Sequence, residues 1–134
     1  MQTIDLQKQN KRRIKMILTT VSIIVSAALM LGGILMMKIA NKPINETIGF
    51  RTHRAMLNVT NWHYANQKCG TFWLIIGAFG FALTLFIIFV LIPMVSEKAD
   101  MLMQFLPLAA QIAAAVAAAV HVERKLPGGK HAAR

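Results

Sequence analysis

Residues 71–96 read TFWLIIGAFGFALTLFIIFVLIPMVS, without a single Asp, Glu, Lys, Arg or His. A helix of that composition has no wet face, and at about 1.5 Å per residue it is long enough to cross a hydrocarbon core of about 30 Å. The same reading applies on either side of it. Met16 to Met37 and Met101 to Val120 are also free of ionisable side chains. The charged residues are confined to the segments between and beyond these three blocks. The chain is 56% hydrophobic and 15% charged over its 134 residues, whereas soluble domains carry about 25% charged residues spread so that every element keeps a polar face. The expected fold is therefore an all-α membrane protein with three transmembrane helices, at about 16–40, 71–95 and 101–121.

Three boundaries follow from local chemistry. Residues 1–15 form a basic N-terminal tail. Its Lys8, Lys11, Arg12, Arg13 and Lys15 precede an apolar run that is too long for a signal-peptide core of about 7–15 residues, so this run is read as a retained first span. Asn41, Lys42 and Pro43 stop that span, because proline disfavours helix in the residue before it and lacks a donor of its own. Residues 123–134, with Pro127, Gly128 and Gly129, are read as a flexible C-terminal tail behind a single membrane domain at 16–122. Phe72 and Trp73 open the second span as an interfacial aromatic belt. The alanines of the third span, the pair Gly32 and Gly33, and the group Gly77, Ala78 and Gly80 offer narrow faces for helix contact. The strongly polar side chains of the third span are Gln104 and Gln111.

The loop 41–70 is the connection long enough to hold structure. Thr52 is a candidate cap for a helix continuing through Lys68, with Gly70 as its stop. Ala55, Met56, Val59 and Trp62 supply an apolar face opposite Arg54, Asn58, Asn61 and Gln67, so an amphipathic interfacial helix is expected between spans one and two. Arg54, Asn58, Trp62, Asn66 and Gly70 recur every four positions and form one stripe on such a helix. Arg51 stands just ahead of it, within reach of a headgroup phosphate, a peptide carboxylate or span-end carbonyls. The packing alternative has Gly49 making a turn, Thr52 capping, Trp62 anchoring at the interface and the asparagines tying the loop to the bundle.

Fifteen Lys and Arg against five Asp and Glu give a net charge of +10. No basic helix or RNA-binding aromatic signature accompanies it, so direct nucleic-acid binding is not expected, and contact with membrane lipid is. Three spans put six basic residues on the side of the N-terminus and nine on the side of the loop, which by the positive-inside rule makes the loop and C-terminus cytoplasmic. No carboxylate pair, phosphate loop or activated nucleophile is present, so catalysis is not expected. His53 and His63 lack neighbouring ligands, so neither metal nor cofactor is expected. The absence of ionisable groups inside the spans speaks against a proton-coupled transporter.

The sequence Ile48-Gly49-Phe50-Arg51-Thr52, followed by Ala55-Met56, Asn58, Trp62, Ala65-Asn66 and Gly70, resembles the loop signature of the SdpI-type immunity protein family. That resemblance implies a three-span unit that protects a cell from a secreted antimicrobial peptide toxin, and in some members one that holds a transcription repressor at the membrane. It singles out Gly49, Phe50, Arg51, Thr52, Asn58, Trp62, Asn66 and Gly70 as binding or loop-structuring residues. The competing classes are a structural or regulatory subunit of a membrane complex and an oligomeric pore. Self-association into a homo-oligomer is compatible with either.

Overall fold

A computed structural model describes residues 2–94 and 97–128, with side chains described for 4–94 and 102–128. Three long helices make up the chain. Helix α1 spans Gln2–Ala40 and α2 spans Val59–Phe86, the latter continuing through a π-helical segment Ile87–Leu91 into a 3-10 turn Ile92–Met94; α3 spans Glu97–Lys125. All three are long and apolar enough to cross a membrane. Among the described residues there is no strand. Ile24, Leu31, Ile75, Phe79, Phe89 and Val116 are all exposed. In water so broad an apolar surface would drive aggregation, whereas in a bilayer it is the natural outer face of a bundle.

The helix ends follow from their sequences. α1 stops at Ala40, and the amide of Lys42 folds back on the carbonyl of Ile39 at 2.9 Å just ahead of Pro43. Near the far end of α2, Pro93 can donate no backbone hydrogen bond, and the helix loosens before it: Ile92 N–H donates to the carbonyl of Ile87, five residues back. α3 runs unbroken through Pro107, whose ring is fully buried.

α1 packs mainly along α2, and α3 against both. Glycines set the closeness of these contacts. A Cβ on Gly33 would stand 2.6 Å from the carbonyl oxygen of Gly70, and one on Gly70 would stand 2.6 Å from that of Gly33, so the two backbones touch where α1 and α2 cross. A side chain on either would force the helices apart.

Three expectations need correction. The separate interfacial helix at 52–68 is not formed. The amide of Met56 closes one turn on the carbonyl of Thr52 at 3.1 Å, but Asn58 is extended (φ −161°, ψ 166°) and restarts the helix as the N-cap of α2. Gly70 does not end a helix, because its missing side chain serves the Gly33 crossing and α2 continues through it. The residues Asn61, Trp62, Ala65, Asn66, Cys69 and Gly70 share the buried face of α2, so this stretch stands against the bundle as an extension of the second span. Trp73 likewise turns inward, its indole N–H 3.4 Å from the carbonyl of Ala115. At the C-terminal end α3 persists to Lys125 and Leu126 is buried, while residues 129–134 of the expected tail lie outside the described residues.

Candidate functional site

The signature residues meet at the end of the bundle where α1 finishes and α2 begins. Gly49 has φ +122°, a conformation that side-chain-bearing residues rarely adopt, and a Cβ there would lie 2.6 Å from Asn66 Oδ1 and 3.0 Å from the Trp62 ring. Both backbone shape and space require glycine. The turn it makes delivers the amide of Phe50 to Asn66 Oδ1 at 2.7 Å, and Asn66 Nδ2 donates in turn to the carbonyl of Trp62 at 3.0 Å. The indole N–H of Trp62 donates to the carbonyl of Ile39 at 3.3 Å, a second donor to the acceptor in the last turn of α1 that the amide of Lys42 also reaches. Trp62 and Asn66 are completely buried.

Around this knot, Phe50, Ala55, Ala65, Cys69, Val122 and Leu126 form a small apolar core, flanked by Met36, Tyr64, Trp73 and Ala119. The loop thus caps the bundle and draws in the C-terminal end of α3. Polar contacts fasten its rim. Asn58 Oδ1 accepts the amide of Asn61 at 2.8 Å, and Asn61 Nδ2 donates to the carbonyl of Arg54 at 2.8 Å and lies 3.4 Å from that of Pro127. Thr52 donates its hydroxyl to the Glu123 carboxylate and accepts the amide of Ala55 at 3.3 Å. Arg54 Nε lies 3.9 Å from Glu123 Oε1, with both side chains partly exposed; a pair of this kind contributes about 0–1 kcal/mol. The hydroxyl bond and the apolar core hold α3 more firmly than the ion pair does.

The structure therefore divides the signature. Gly49, Phe50, Asn58, Trp62, Asn66 and Gly70 build and seat the cap, and Thr52 clips it to α3. Arg51 is different: it is exposed and has no hydrogen bond or ion pair among the described residues. With the partly paired Arg54, it gives the outer surface of the cap a cationic character suited to phosphate or carboxylate. Among the described residues no group of three His, Cys, Asp or Glu comes together as a metal site would require.

A second polar assembly, which the sequence reading did not assemble, lies midway along the three spans. The Thr84 hydroxyl donates to the carbonyl of Gly80 at 2.8 Å, so the 2.9 Å contact between Ser22 and Thr84 has Ser22 as donor. Gln111 Nε2 donates to Ser22 Oγ at 3.2 Å, and Gln111 Oε1 accepts from Ser26 at 2.8 Å. Ser26 shares that proton with the carbonyl of Ser22 at 2.9 Å. The result is one directed chain linking α3 to α1 and α1 to α2, all buried. Gly80 makes room for it, since a Cβ there would collide with the Gln111 side chain. Nearer the other end, Thr19 donates to Gln104 Oε1 at 3.1 Å. Of these residues only the two glutamines and Gly80 drew notice in the sequence; serine and threonine are ordinary in apolar helices and signal nothing until their partners are known.

No curated protein and no solved structure matches the chain. A model of the SdpI/YfhL protein family matches residues 41–121, a range that takes in the cap segment, α2 and most of α3. Since that range is more than half of the 134 residues, this three-helix membrane chain belongs to the SdpI/YfhL protein family.

Proposed function

We propose that the protein is a non-enzymatic immunity or resistance factor of the cell membrane, acting against a secreted antimicrobial peptide toxin. The observation that supports this reading is the division within the cap: a rigid, fully bonded interior presents Arg51 outward without a partner among the described residues. A guanidinium presented in this way recognises a carboxylate or phosphate in two-pronged geometry. On the orientation favoured by the six-against-nine distribution of basic residues, the cap and C-terminus face the cytoplasm. The cap then meets a toxin that has already entered the bilayer, and protects by holding it at the inner surface.

The test is survival. Cells lacking the gene and complemented with wild type, Arg51→Ala or Arg51→Lys are challenged with spent medium from toxin-secreting cells, and membrane abundance is measured in parallel. Arg51→Ala is expected to lose protection at unchanged abundance, because the side chain makes no hydrogen bond or ion pair among the described residues, and Arg51→Lys to recover only part of it. Full protection by Arg51→Ala would remove the cap surface from the mechanism.

A further inference from the structure

On the flank of the cap, α1 and α2 enclose an open cleft of about 430 Å³, lined by Ile34, Met37, Lys38, Asn41, Gln67 and Leu74. Its lining is sorted by depth. Lys38 is the first charged residue after the apolar run that ends at Met37, and Gln67 adjoins Lys68, the last charged residue before the apolar run of α2. These polar groups therefore lie at the boundary of the hydrocarbon. Ile34 sits about one turn deeper on α1, and Leu74 about two turns deeper than Gln67 on α2. Lys38 and Asn41 are exposed and Gln67 is half-buried; none of the three side chains has a hydrogen bond or ion pair among the described residues.

We propose that this cleft is a binding site for one anionic phospholipid. The headgroup phosphate meets the Lys38 ammonium, the amide groups of Asn41 and Gln67 donate to its oxygens, and an acyl chain runs down the seam formed by Ile34, Met37 and Leu74. A free phosphate would use the upper half of the cleft and leave the apolar half uncovered. The lining carries one cation and no carboxylate, so nothing in it neutralises the ammonium of a zwitterionic headgroup. Charge selects the anionic class, as basic pockets between membrane helices do elsewhere. The site is separate from Arg51 and independent of the proposed immunity role.

Native mass spectrometry of the full-length protein in detergent, titrated with phosphatidylglycerol, phosphatidylcholine or inorganic phosphate, tests the assignment. The expected result is one phosphatidylglycerol bound in preference to phosphatidylcholine, with no competition by inorganic phosphate. Lys38→Gln is expected to weaken phosphatidylglycerol binding about fivefold, the effect of one cation at a membrane surface, and Lys38→Arg to retain it. Lys11→Gln, at the opposite end of α1, serves as the charge control and should leave binding unchanged. Gln67→Leu, with melting temperature as the check on folding, is expected to weaken binding without altering the fold. The proposal is overturned by equal affinity for the two lipids, by competition from inorganic phosphate, by unchanged binding in Lys38→Gln, or by an equal loss in Lys11→Gln.

Discussion

The cap and the mid-membrane hydrogen-bond chain both tie three helices together, yet they use opposite means. The cap combines one large aromatic ring, a glycine-shaped turn and asparagines bonded mostly to backbone. The chain in the spans uses side chains no larger than glutamine, bonded mostly to one another across helices. The difference reflects the surrounding medium. At the water-exposed end an irregular segment leaves backbone amides and carbonyls that must be satisfied, and burying Trp62 is favourable because it removes apolar area from water. In hydrocarbon the helix backbone is already satisfied and lipid is as apolar as leucine, so association relies on close packing and interhelical hydrogen bonds.

That contrast predicts a ranking of effects. Trp62→Ala should be the most damaging, at about 3–5 kcal/mol for emptying a buried aromatic site, read as loss of membrane abundance and a collapse of the melting temperature in detergent. Next is Asn66→Ala, which strands the amide of Phe50 without an acceptor at a cost of about 1–3 kcal/mol. Its expected signature is local: faster hydrogen exchange and proteolysis across residues 49–57, with the helices retained. Smallest is Gln111→Leu, for which interhelical bonds in membranes average about 0.6 kcal/mol and reach about 1.7, giving a melting temperature a few degrees lower. If Gln111→Leu proved costlier than Asn66→Ala, the distinction between the two media would fail. A larger effect of Gln111→Leu in lipid nanodiscs than in detergent would sharpen it.

The three spans could be read from the chain because hydrocarbon forbids unpaired charge, and that prohibition leaves a mark at every position of an apolar run. The amphipathic pattern around Trp62 was equally visible, but it does not say what covers the apolar face; the same spacing serves a helix on a lipid surface and one standing against other helices. Asn58 held the decisive information, as a cap three residues ahead of Asn61, while Thr52 offered a rival start that closes only a single turn. Gly70 misled for a related reason. Glycine ends helices through its backbone freedom and joins them through its missing side chain, and the sequence does not separate these uses until Gly33 is placed opposite. The partnership of Ser22, Ser26, Thr84 and Gln111 is set by the rotation of three helices about their axes, which no local window of residues contains.

Cys69, the single cysteine of the chain, is wholly enclosed in the core beneath the cap. Its thiol therefore gives no background signal to a bulky labelling reagent. A reporter cysteine placed at Arg51, or at Lys8 on the exposed far end of α1, would be the sole reactive thiol without any need to remove the native one. Labelling such variants in intact and in opened cells reads out directly which compartment each end of the bundle occupies.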